Sequence, residues 1–266
     1  MQVYIMYADG GSGPGGTGHH LHDPQTTAAR VARMVDTLEH YPMADGVVMD
    51  GPEWGYEMAP HHMNHRSYFF NDLPESVAPM AKDLGYDFAA MVAAKDRLLA
   101  LFHNLDPKRI RSNARGGLMG AYHMLGADAD LMSWLSFRTE SLTRNFRQMR
   151  EGVAANLDRP VRMGCGPRSA AFAPLCGYDF VDLAEFMDFL LPKHYFFHRG
   201  FDGFIGTVYR YSQTLIEWNP SLTVADTLEI VQAMFGIILP GFNGDMLDFE
   251  SALSPDFFEQ VVTQET

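Results

Sequence analysis

Asp50, Glu53 and Glu57 place three carboxylates within eight residues, interleaved with Trp54 and Tyr56, in the run Asp45-Gly-Val-Val-Met-Asp50-Gly-Pro-Glu53-Trp54-Gly-Tyr56-Glu57. Carboxylates at such spacing supply proton transfer or a nucleophile, and aromatic faces stack on the apolar faces of sugar rings. A purely structural role would leave the acids as solvated loop charges, with Trp54 covering the end of the core. The run favours chemistry, because in parallel α/β folds the C-terminal ends of strands so often carry it.

The elements that must position these residues follow from the apolar pattern. Val47, Val48 and Met49 form a short buried strand that stops at Gly51-Pro52, where proline lacks the N–H a ladder needs. Residues 2–8 read as an earlier strand. Between the two, Asp23-Pro24 is a helix start, and Val31, Met34, Val35 and Leu38 fall on one face of a helix over 24–40. Strand, helix, strand in this order implies parallel strands. Residues 161–165 and 189–196 read as third and fourth strands, and Ile237–Pro240 as a fifth. Helices are expected over 75–83, 87–103, 131–157, 179–187, 204–217 and 223–235, with another starting at Ser254-Pro255. The polar face of the 131–157 helix is assigned Arg138, Arg144, Arg147 and Arg150, and Asp106-Pro107 and Arg115-Gly-Gly117 punctuate the connection before it.

The expected architecture is therefore α/β: one (β/α)8 TIM-barrel-type domain over residues 1–266, complete or partial, with a loop and helical insertion at 58–116 after the second strand. Four strands and a candidate fifth fall short of eight, so the rest are missing, as in a fragment, or cryptic, or replaced by another arrangement. The glycine-rich run Gly10–Gly18 lacks the strand–turn–helix setting and the Gly-Lys-Ser/Thr of phosphate loops, and reads as a loop above a site.

Composition excludes several classes. A net charge of −13 argues against nucleic-acid partners and against anionic membranes. No apolar run approaches the roughly 20 residues that span a bilayer. Two cysteines, Cys165 and Cys176, form no disulfide framework and fit a reducing compartment. The expected location is cytoplasmic, or secreted if the N-terminus is truncated.

Parallel strands bring their C-terminal ends to one face. That face would gather Tyr7 and Asp9 from the first strand, Asp50, Glu53, Trp54 and Tyr56 from the second, and Arg168 from the third. The fourth would add Lys193, His194, Tyr195 and His198. Asp45-Gly46-Val-Val-Met-Asp50 followed by Glu53 resembles the fourth-strand signature of retaining α-glycosidases, including the α-amylase clan. The wider order, with Leu191-Pro-Lys193-His194-Tyr195 as a later strand end, is similar to glycosyl-hydrolase-like barrel proteins of bacteria. The resemblance implies a barrel that cleaves glycosidic bonds with a carboxylate pair and needs no cofactor, its partner being the carbohydrate substrate. It makes Asp50 the nucleophile. Glu53 could serve instead, as acid/base or by binding hydroxyls, and Asp202 is the further candidate for the second acid. Met49 departs from the family pattern, and no acid directly ends the third or fourth strand.

Two other classes compete. A metal-dependent barrel hydrolase would use His19, His20, His22, His61, His62 and His65 with Asp9 or Asp50; no His-x-His ends a strand. A non-catalytic carbohydrate-binding protein would keep Trp54, Tyr56 and Tyr195 as stacking platforms without a paired acid. The Gly-x-Gly-x-x-Gly spacing within Gly10–Gly18 lacks the strand–turn–helix context of a dinucleotide site, and no Gly-x-Ser-x-Gly elbow is present.

Overall fold

The structure is a computed structural model that describes residues 2–8, 21, 23–58, 68–71, 73–195, 203–239 and 255–265. Four parallel strands, β1 (Tyr4–Ala8), β2 (Gly46–Asp50), β3 (Arg162–Cys165) and β4 (Phe189–Leu190), form one sheet in the order β1-β2-β3-β4. Between β1 and β2 lies α1 (Pro24–His40); between β2 and β3 lie α2 (Ala78–Asp83), α3 (Phe88–Phe102), α4 (Pro107–Asn113), α5 (Gly117–Leu125) and α6 (Ala129–Asn156). α7 (Ala173–Cys176) and α8 (Phe180–Ala184) precede β4, and α9 (Phe204–Trp218), α10 (Val224–Phe235) and α11 (Pro255–Glu265) follow it. The chain is thus α/β with a parallel sheet.

Aspartate caps set five of the helix starts. Asp23 accepts from the Gln25 and Thr26 amides, Asp87 from Ala90, Asp106 from Lys108, Asp128 from Leu131 and Asp179 from Val181. Asp106-Pro107, expected to punctuate a connection, opens α4 with the same cap-then-proline pattern as Asp23-Pro24. The helical insertion after β2 accordingly includes α4 and α5. Residues Ile237–Leu239, expected as a fifth strand, form none; the Leu239 amide donates instead to the Gln232 side chain of the preceding helix. The candidate fourth strand is shorter than expected, although a parallel bridge between Arg168 and Lys193 prolongs its alignment with the chain after β3.

The two faces of the sheet differ. Register pairs Ile5, Val47 and Met163 in one row and Tyr7, Met49, Cys165 and Leu190 in the next. These rows pack into the core with Met34 and Leu38 of α1 and Leu142, Phe146, Met149 and Val153 of α6. Strands laid down in sequence order through right-handed crossovers keep their helices on this single face. The other face carries the row Met6, Val48, Gly164 and Phe189. Met6 there is 59% exposed. The Phe189 ring lies over Gly164, where a Cβ would meet it at 2.3 Å, and packs edge-on against Tyr4 with centroids 4.8 Å apart.

Candidate functional site

Asp50 ends β2 in the Val48 row by strand alternation, so its carboxylate is directed to the face away from α1 and α6. Lys193, beyond β4, makes an ion pair with it. Their side chains are 29% and 11% exposed, so the pair is sheltered and still open to solvent. Strand β3 lies between β2 and β4, and Lys193 must cross it. It does so at Gly166, where a Cβ would stand 3.5 Å from Lys193 Cε. His194, half-buried, and Tyr195, 44% exposed, continue the same segment.

Glu53 is held differently. Arg168, buried, donates from Nε to both Glu53 carboxylate oxygens at 2.9 Å and from Nη2 to Oε1. The Tyr178 hydroxyl donates to Glu53 Oε2 at 3.2 Å. Burial pushes the Tyr178 phenol well above its ordinary range, so it stays a neutral donor. The Arg168 guanidinium lies 5.1 Å from the Tyr56 ring centroid, and Tyr56 stacks on Phe172 at 5.5 Å. Glu53 is the anchor of a buried fork–fork pair joining the loop after β2 to the loop after β3.

Glu57 is buried against α9. Arg210 donates from Nε to Oε2 at 3.1 Å and from Nη2 to Oε1, and Thr207 donates to Oε1 at 3.4 Å. Burial raises the Glu57 carboxyl pKa, while the Arg210 hydrogen bonds oppose the rise. Tyr211, one residue on, donates to the Tyr56 carbonyl. The three acids Asp50, Glu53 and Glu57 therefore divide: two fasten the loop to its neighbours, and Asp50 faces away from α1 and α6.

Several expectations are corrected by burial. Trp54 is fully buried: its indole N–H reaches Arg138 O and Ser141 Oγ, each at 3.0 Å. Tyr56 is buried between Arg168 and Phe172, and Tyr7 packs into the core on the face away from Asp50. None of these three can stack on a sugar, because their faces are occupied by protein. Arg168, expected to bind hydroxyls, spends its Nε and an Nη donor on Glu53. Arg138, expected on the polar face of α6, is fully buried among Trp54, Phe69 and Trp134, with Nε donating to Leu175 O at 2.9 Å. Asp9, His198 and Asp202 lie outside the described residues, as do His19, His20, His22, His61, His62 and His65. Among the described residues no three His, Cys, Asp or Glu side chains gather as metal ligands.

Sequence alone does not single out Tyr178 or Arg210. Tyr178 follows Gly177, whose φ of +84° ends α7 and turns the chain beneath Glu53. Arg210 shares a buried helical face with Thr207 and Thr214, where an arginine requires a carboxylate partner; nothing local in the sequence marks it. Both cysteines are buried thiols, and burial pushes Cys165 up to about 12, which leaves it without thiolate chemistry.

The arrangement can present one carboxylate, partnered by an ammonium, at the C-terminal end of a central parallel strand. A groove of ≈ 700 Å³ between α1 and α6, lined by Val31, Val35 and Gly152, lies on the helical layer and contains none of these groups. No helix among the described residues is long and apolar enough to cross a membrane. Comparison of the chain with protein-family models, with curated proteins and with solved structures finds no match.

Proposed function

We propose that the protein cleaves glycosidic bonds, with Asp50 as the carboxylate that attacks the anomeric carbon. The observation that carries this reading is the Asp50–Lys193 pair, sheltered but reachable, at the end of the second of four parallel strands. Strand ends on this side of α/β sheets are where substrates bind. In the double-displacement form, Asp50 bonds to the anomeric carbon as the leaving oxygen departs with a proton from a carboxylic acid. Water then cleaves the glycosyl ester, returns a proton to that second group and frees Asp50. Lys193 orients the Asp50 carboxylate and offers its remaining N–H donors to sugar hydroxyls, with His194 and Tyr195 beside it. Glu53 is bound to Arg168 and Tyr178 and positions the loop that follows Asp50.

The test is hydrolysis of a panel of aryl α- and β-glycosides by the wild-type chain and by Asp50→Asn, both shown to be folded by circular dichroism. The reading predicts hydrolysis of at least one glycoside by the wild type and a loss of about 10³-fold or more in the variant. Hydrolysis that survives Asp50→Asn but disappears with a chelator would give the site to metal-dependent chemistry instead. Saturable sugar binding without hydrolysis would leave a binding protein.

A further inference from the structure

Helices α4 and α5 form a hairpin whose charge runs against that of the whole chain. Residues 107–127 hold Lys108, Arg109, Arg111 and Arg115 and no acid, in a protein of net charge −13. The two helices are closely joined: a Cβ at Gly120 would stand 2.1 Å from the Asn113 carbonyl oxygen, and Arg109 donates to the His123 carbonyl. Ile110 of α4 and Met124 of α5 belong to the core, and Arg111 pairs with the buried Asp226 of α10. The chain reverses at Gly116-Gly117, where Gly117 takes a φ of +58°. Just past that turn, α5 carries Leu118, Met119 and Tyr122, which are 82%, 62% and 40% exposed. Positions 118, 119 and 122 share one face of a helix. Large apolar side chains gathered on one exposed face mark an interaction surface.

We propose that this hairpin docks on an anionic lipid surface, with Leu118 and Met119 entering the acyl boundary and Lys108, Arg109 and Arg115 meeting the headgroup phosphates. Charge selects the occupant. Lys108, Arg109 and Arg115 are exposed, and among the described residues only Arg111 of the four basic side chains makes an ion pair. A cationic helical segment with an exposed apolar stripe is the pattern of interfacial helices, in which apolar insertion adds to attraction for anionic lipid. The acidic remainder of the protein opposes the approach of the whole molecule. It does not cancel the contact itself, because physiological salt screens charges more than about 8 Å away. A protein partner fits this surface less well. Three side chains fall short of the roughly 800 Å² per partner of a standard protein interface, and leucine is under-represented among the residues that dominate such interfaces. Tyr122, farther from the turn, brings a hydroxyl suited to the headgroup level. So small a contact makes the attachment weak and reversible. The proposal is independent of the Asp50 reading.

The test is co-sedimentation of the 266-residue chain with vesicles of phosphatidylcholine alone and of phosphatidylcholine mixed equally with phosphatidylglycerol. Binding to the anionic vesicles at low salt is expected, at least about tenfold weaker on the neutral vesicles or in about 0.5 M salt. Leu118→Glu/Met119→Glu and Lys108→Glu/Arg115→Glu should each weaken it about tenfold or more with unchanged circular dichroism, since all four side chains are exposed. Met43→Glu, at a residue 78% exposed between α1 and β2, should bind like the wild type. No binding to anionic vesicles at low salt, equal binding to both compositions, or binding indifferent to either double substitution overturns the proposal. Self-association in sedimentation velocity that is abolished by Leu118→Glu/Met119→Glu, without vesicle binding, would give the surface to a second copy instead.

Discussion

Lys193 reaches Asp50 by crossing strand β3 above Gly166, so the site joins three adjacent strands through one long side chain and one missing one. An alanine at 166 would make ordinary contacts, 3.5 Å to Lys193 Cε and 3.6 Å to Leu191 O. Gly166→Ala is therefore expected to fold and act like the wild type. Gly166→Val, with its branched Cβ, should push Lys193 away and lower kcat/KM by about 10²-fold, the cost of misplacing a positioning group. Kinetics of both variants, beside their melting curves, check this.

The Glu53–Arg168 pair is buried and bidentate, and breaking one side leaves an uncompensated charge. Glu53→Ala should destabilise the fold by about 3–5 kcal/mol in urea unfolding, and Glu53→Ala/Arg168→Met should recover most of that loss. If Glu53→Ala were as stable as the wild type while losing activity, Glu53 would be a reacting group.

Trp54 is a structural residue. Trp54→Phe removes an indole donor that satisfies Arg138 O and Ser141 Oγ in the core. The expected cost is about 1–3 kcal/mol, with sugar affinity of the folded fraction unchanged. Calorimetric titration of sugar into the variant would expose a binding role.

Asp226, the third residue of α10, closes a capping box with the N-cap Thr223 and accepts from Arg111 at 2.7 and 2.8 Å. These bonds hold its carboxyl at about 2, below the ordinary 3.8. A depressed folded-state pKa stabilises fully above the unfolded value and is lost as pH falls through the folded one. The melting temperature of the wild type should fall more steeply between about pH 4 and pH 2 than that of Asp226→Asn, measured by thermal denaturation across that range.

The sheet is legible in the sequence because its signals are local. Apolar runs mark β1 and β2, Val161, Met163 and Cys165 alternate through β3, Asp23-Pro24 marks α1, and a βαβ order allows only parallel pairing. Asp106-Pro107 carries the same helix-start signal, but it opens a helix of seven residues with little apolar stripe, so it reads as punctuation. Asp50 can be placed by strand alternation alone. The roles of Glu53, Glu57, Trp54 and Tyr56 cannot, because each depends on a partner far along the chain: Arg168, Arg210, Arg138 and Phe172. Nothing local distinguishes an acid waiting for substrate from one waiting for a buried arginine. Arg138 shows the reverse error, a charge that belongs to the core because three aromatic rings and two backbone carbonyls receive it.

The most direct measurement is to incubate the protein with an activated 2-deoxy-2-fluoro glycoside matched to its best aryl substrate, digest it, and locate the adduct by mass spectrometry. A glycosyl ester on the Asp50 carboxylate, absent in Asp50→Asn, is the predicted result. A label on Glu53 or another carboxylate, or steady hydrolysis with no label on Asp50, would contradict it.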